Sequence, residues 1–146
     1  MIGRLRGTIA EKGTESVVLD VAGVGYRIAI TPRTLAGIPG IGEDAVLHTH
    51  LHVREDQLSL FGFESTDDRD LFELLIGISG VGPKVGLAII GTFTFAELRT
   101  VVAAGDLASL TTVQGIGKRS AEKLMVELRP RFEAHIDDTA RVSGAL

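Results

Sequence analysis

Two short segments hold the residues best suited to chemistry: Ile78-Ser79-Gly80-Val81-Gly82-Pro83-Lys84 and, 35 positions on, Val113-Gln114-Gly115-Ile116-Gly117-Lys118-Arg119. A shift of 35 superposes residues 75–89 on 110–124. Each copy reads as an apolar helix end, a Gly-apolar-Gly turn and a cation opening a second helix. The paired glycines permit positive φ and let the backbone approach a ligand with no Cβ in the way, while Val81 or Ile116 points inward and anchors the turn. The N–H groups then face outward at a helix N-terminus, where unpaired donors and the positive dipole end attract an anion such as a phosphate oxygen. Lys84, Lys118 and Arg119 add charge at that end, Lys123 stands one helical turn beyond Arg119, and Ser120 offers a further donor. Groups that reach phosphates and not base edges bind a nucleic-acid backbone without reading sequence, and do so with steep salt dependence.

Plainer readings compete with this one. A lone Gly-x-Gly between helices is usually only a tight turn, and helical hairpins also serve protein pairing; the cation-followed duplication favours phosphate. A nucleotide loop is not expected, because no Gly-rich loop leads from a strand into Gly-Lys-Ser/Thr and no dinucleotide fingerprint occurs. No cofactor is predicted.

Two other groups can do chemistry. Glu55-Asp56 lies between strand-like runs and reads as a polar hairpin turn. As a nuclease centre it is weak, since two adjacent carboxylates without further Asp, Glu or His at suitable positions make a poor two-metal site. His48, His50 and His52 share one face of a strand, but rings about 6.6 Å apart rarely converge on one ion. A solvent-facing or interface row is expected, with no metal and no catalytic residue.

Elements that position these groups follow from periodicity. Apolar alternation in residues 1–10, 16–21, 26–31, 45–53 and 58–63 predicts five strands, enough for a small closed barrel, with 32–38 as a helical turn in an OB-type arrangement. From Thr66 the period becomes helical. Thr66-Asp67-Asp68 reads as an N-cap with acidic residues in the first turn, followed by a stripe of Leu71, Leu74, Leu75 and Ile78. Thr94 and Glu97 form a capping box for a helix over 95–104 that Gly105 closes, and Asp106 caps a short helix. A last helix runs from Lys118 to about Arg129 and stops near Pro130; residues beyond about Glu133 lack periodicity. The predicted fold is α+β: a barrel over 1–64, an all-α domain with two helix-hairpin-helix units over 65–132, and the start of a linker or tail over 133–146.

Composition agrees. A chain of 146 residues that is 45% hydrophobic and 23% charged can bury a sizeable core. No stretch reaches the roughly 18–20 apolar residues of a membrane span. Without cysteine there is no disulfide framework or thiolate metal site, in keeping with a reducing, cytoplasmic setting. The net charge of −4 argues against a nucleic-acid partner only if it is spread evenly. It is not: residues 1–70 carry 7 basic and 11 acidic side chains, 71–132 carry 7 and 5, and 133–146 carry 1 and 3. Only the segment with the glycine turns is net basic, and screening over about 8–10 Å makes the local charge decisive.

Taken together, Met1-Ile2-Gly3-Arg4-Leu5-Arg6-Gly7, Gly23-Val24-Gly25-Tyr26, Val53-Arg54-Glu55-Asp56-Gln57, Phe61-Gly62-Phe63 and both hairpins resemble the RuvA family, the DNA-binding subunit of the bacterial complex that drives branch migration of Holliday junctions. The resemblance implies a homotetramer laid on an open four-way DNA junction, one or two tetramers per junction, in recombination and repair. It implies that Glu55 and Asp56 belong to an acidic pin at the tetramer centre, repelling phosphates at the crossover, with Arg54 beside it touching a phosphate or offsetting its charge. Members of the family usually continue into a small domain that binds a hexameric motor ATPase. This chain ends at Leu146, where that linker would begin, so it is expected to lack motor coupling. The enzymatic alternative, a helix-hairpin-helix glycosylase or nuclease, needs a catalytic Asp after the hairpin and a base-sized pocket; the helix after Gly117 offers only Glu122 and Glu127.

Overall fold

The computed structural model describes the backbone of residues 1–144 and the side chains of residues 1–133. The chain is α+β and divides into two compact units, Met1–Ile76 and Gly77–Leu146.

In the first unit β1 (Arg4–Lys12), β2 (Ser16–Val21), β3 (Val24–Ala29), β4 (Asp44–Arg54) and β5 (Gln57–Phe63) close into a barrel of order β1-β2-β3-β5-β4, with α1 (Pro32–Gly37) between β3 and β4. The β3–β5 pairing is parallel, at Ile28↔Leu60 and Ala29↔Phe61, and β1 closes onto β4 antiparallel, from Arg4↔His48 to Thr8↔Asp44. Alternation places Leu5 and Ile9, Val17 and Leu19, Ile28 and Ile30, and Ala45 and Leu47 in one core. Ile9, Val17, Leu19, Ile28 and Leu47 are at most 1% exposed, and burial at that level contributes roughly 1.5–3 kcal/mol for each. Gly7 falls between Leu5 and Ile9 on the inner face because a Cβ there would collide with the Asp20 carbonyl of the crossing strand.

The β2–β3 turn stores strain. Ala22 and Gly23 both have positive φ, 52° and 91°, between the paired Val21 and Val24. Such a two-residue turn favours Asn-Gly, and an alanine in left-handed backbone costs about 1–2 kcal/mol. Ala22→Asn should therefore raise unfolding free energy by about 0.5–1 kcal/mol in denaturant titration; a midpoint at or below the parent's would show that Ala22 carries no strain.

After the barrel, α2 (Thr66–Ile76) begins one residue earlier in its capping than the sequence suggests: the Ser65 hydroxyl, not Thr66, accepts the Asp68 N–H at 3.1 Å. Leu71, Phe72 and Leu75 are buried. Phe72 lies against Phe61 and Phe63 of β5, with ring centroids 5.0 and 5.1 Å away, which seats the helix on the outer face of the sheet.

The second unit contains α3 (Pro83–Thr92), α4 (Phe95–Ala104), α5 (Leu107–Leu110) and α6 (Lys118–Gly144). Local chemistry sets α4: Thr94 and Glu97 form the expected reciprocal capping box, and Gly105 at φ 65° ends the helix. Asp106 caps α5 by accepting the Ser109 N–H at 3.1 Å and its hydroxyl at 2.6 Å. These bonds hold the half-buried Asp106 carboxyl below the usual carboxylate range. Ile78, Ile89, Ile90, Leu98, Val102, Leu110, Val113, Leu124 and Leu128 form the interior of this unit.

The last helix does not stop at Pro130 but runs through it to Gly144. Phe132, two residues past the proline and 5% exposed, packs edge-on against Phe95 with centroids 5.5 Å apart. That burial, which sequence periodicity does not reveal, offsets the backbone hydrogen bond that proline forfeits. The expected aperiodic stretch from Glu133 is thus helical as far as Gly144, and the side chains beyond Glu133 lie outside the described residues.

Candidate nucleic-acid interface

The 35-residue repeat is a geometric repeat. Gly80 and Gly115 have φ of 91° and 93°. The Val81 N–H donates to the Ile78 carbonyl at 3.0 Å, and the Ile116 N–H to the Val113 carbonyl at 3.1 Å. Each following helix opens with the same bond, Gly86 N–H to Gly82 carbonyl and Ala121 N–H to Gly117 carbonyl, both at 2.9 Å. Ile116 is 6% exposed and so anchors its turn as expected, whereas Val81 is half-buried.

The two glycines of each turn are not equivalent. Only the first has positive φ; Gly82 sits at φ −88° and ψ 175°, extended backbone open to any residue. A Cβ at Gly82 or Gly117 would meet nothing within 4 Å. Neither the backbone nor the neighbours require glycine there, so the open space lies on the outside, where a ligand would come. Gly82 is the N-cap of α3 and supplies no side-chain cap bond. The first-turn amides of Lys84 and Val85, like those of Arg119 and Ser120 in α6, precede the first intrahelical bonds and are oriented along the helix axis toward that space.

Lys84, Lys118, Arg119, Ser120 and Lys123 are all exposed. The first four flank their own turns. Lys123, one helical turn beyond Arg119 along α6, also lies beside the first turn: its Nζ is 3.7 Å from where a Cβ on Gly80 would stand. Conversely, Val85 of α3 reaches the second turn, its Cγ2 3.4 Å from the Cβ position of Gly115. The two hairpins therefore brace each other. A third Gly-Ile-Gly, at 40–42, marks the limit of the motif: Ile41 is 65% exposed, and acidic Glu43 and Asp44 lead into a strand.

In the barrel unit Glu55 and Asp56 form the two-residue turn between β4 and β5, closed by the pair Arg54↔Gln57, and both are exposed. The outer rungs His52↔Ser59, Val53↔Leu58 and Arg54↔Gln57 pair only with one another, so the turn tips a projecting arm. Arg54 Nε lies 3.3 Å from His52 Nε2, and among the described residues it makes no ion pair with the two carboxylates. Burial, together with the neighbouring charges of Arg54 and His50, holds His52 below the usual histidine range.

Within the histidine row, His50 serves the fold. His50 Nδ1 is 2.8 Å from Glu73 Oε2 and its ring stands edge-on to Phe72, so it ties β4 to α2. Arg69 of α2 adds a bond from Nη1 to the Gly3 carbonyl at 2.7 Å. Neither tie was visible in the sequence, which gives no register between a strand and a later helix. Among the described residues no three His, Cys, Asp or Glu are grouped to hold a metal ion. Nor is any single helix among them long and apolar enough to cross a membrane.

A closed five-stranded barrel of OB order followed by a tandem helix-hairpin-helix unit is the class these elements define. The RuvA N terminal domain matches residues 1–62, and the SAM-like Helix-hairpin-helix tandem matches 72–130. The Holliday junction branch migration complex subunit RuvA of Pseudomonas fluorescens is 50% identical over 134 residues, 92% of this chain and 66% of the relative. The subunits of the same name from Herpetosiphon aurantiacus and Pseudomonas aeruginosa are 50% and 48% identical, each covered over 67% of its length. The chain belongs to the RuvA family. It spans about two thirds of the length of these relatives.

Proposed function

We propose that this chain is a non-enzymatic, structure-specific DNA-binding subunit that holds four-way junctions as a homotetramer, for branch migration by a partner motor ATPase. The observation that carries the reading is the duplicated turn with vacant space before an uncapped, cation-flanked helix start. Two such sites in one unit suit successive phosphates of a DNA backbone and nothing in base sequence. The relatives' name, a Holliday junction branch migration complex subunit, supplies the junction and the complex. In this reading the hairpins hold the arms, Glu55 and Asp56 keep phosphates from the crossover, and Arg54, turned toward His52, sets the edge of that acidic tip.

The test is a gel-shift comparison of a four-way junction with linear duplex of the same sequences at two salt concentrations. Tighter binding to the junction, with affinity falling steeply with salt for both, is expected. Equal affinity for the two DNAs would overturn the junction preference. Base release or strand cleavage by the pure protein would overturn the non-catalytic assignment in favour of a helix-hairpin-helix repair enzyme.

A further inference from the structure

We infer, resting on the backbone-binding reading above, that the phosphate site of the first turn is composite: Lys123, from the second helix of the second hairpin, is its second cation. The sequence repeat pairs Lys123 with Ala88, so the first hairpin's own helix has no cation at that place. The first site owns Lys84 alone, whereas the second owns the adjacent Lys118 and Arg119. Lys123 Nζ stands 3.7 Å from the Cβ position of Gly80, and the corresponding contact on the second turn is the apolar Val85. Lys123 is exposed and, among the described residues, makes no ion pair, so its charge is available to a ligand at the first turn. The consequence is a first site that gains its second cation only when the two hairpins are docked on each other.

Two cations on one phosphate are coupled: removing either changes where the phosphate sits and what the other cation contributes, so the two removals are not additive, whereas cations on separate phosphates add. The experiment measures affinity for a labelled linear duplex by anisotropy, using the full chain and its Lys84→Ala, Lys118→Ala and Lys123→Ala variants with the two double variants that include Lys123. Each single change should weaken binding about threefold or more and lower the salt slope by about 1. Lys84→Ala with Lys123→Ala should depart clearly from the product of the single effects, whereas Lys118→Ala with Lys123→Ala should give that product. Lys123→Arg should retain parental affinity.

Independence from Lys84 combined with coupling to Lys118 would overturn the inference and return Lys123 to the second site. So would a silent Lys123→Ala beside weakened Lys84→Ala and Lys118→Ala. If all three single variants bind like the parent, the reading of the turns as DNA contacts fails with it. Thermal melts of the same variants, all exposed positions, should match the parent and separate binding from folding.

Discussion

Gly82→Ala and Gly117→Ala proteins should remain within about 1 kcal/mol of the parent in stability yet bind junction and duplex DNA about 10- to 100-fold more weakly. The stability half follows from the extended backbone at Gly82 and the vacant Cβ space at both positions. Alanine is a poorer N-cap than glycine by a few tenths, but it also restricts the unfolded chain, and the two effects oppose. The binding half follows from what the vacancy is for. A methyl group there pushes a phosphate away from the first-turn amides, and charge-assisted hydrogen bonds of that kind contribute about 1.5–3 kcal/mol each. A β-branched residue should weaken binding more than the loss of one lysine, because it withdraws all the amides at once.

The first glycines should behave in the opposite way. Gly80→Ala and Gly115→Ala place a Cβ on backbone at φ 91° and 93°, which costs about 1–2 kcal/mol of stability. The nearest atoms to the new Cβ, at 3.7 and 3.4 Å, are at ordinary contact distance, so the cost is conformational and not a clash. Chemical denaturation with anisotropy on the same four variants separates the two classes. Parental affinity in Gly82→Ala and Gly117→Ala would sink the claim that phosphate approaches those amides.

This division of labour shows where sequence reading stops. The repeat, the α4 capping box with Gly105, the Asp106 cap and the five alternating strands depend on neighbours a few residues apart, and all are legible from residue order. The two glycines of a turn look alike in sequence, because the letter does not say whether it serves a positive φ or empty space for something outside the chain. Helical spacing places Lys123 one turn beyond Arg119, which holds along α6, and the packing of one hairpin on the other, which spacing does not reveal, also brings it beside Gly80. Pro130 reads as a stop because its local rule is strong, and the Phe132–Phe95 contact between positions far apart in the chain overrides it. The histidine row is a third case. Its spacing gave the shared face correctly, while its partners Glu73 and Phe72 come from a helix whose register against β4 no local pattern encodes.

Replacing Glu55 by Gln and Asp56 by Asn together should raise affinity for linear duplex about three- to tenfold and lower the junction-to-duplex preference by a similar factor. Both side chains are exposed at the tip of an arm whose outer rungs pair only with each other. Arg54, the nearest cation in sequence, is turned toward His52 and leaves the two charges uncompensated among the described residues. A carboxylate a few ångströms from a phosphate costs on the order of 1 kcal/mol in water-like surroundings, and two of them give the predicted range. Linear duplex, which lacks an opening where its strands part, must bring phosphates past this tip; an open junction in the proposed assembly need not. Relief should therefore favour duplex, and favour it most at low salt, where the screening length exceeds the size of the tip. Stability should not change, since among the described residues neither carboxylate makes a hydrogen bond or ion pair. An unchanged junction-to-duplex ratio at low salt would remove the acidic turn from the mechanism and leave it a polar hairpin, with the hairpins alone responsible for DNA binding.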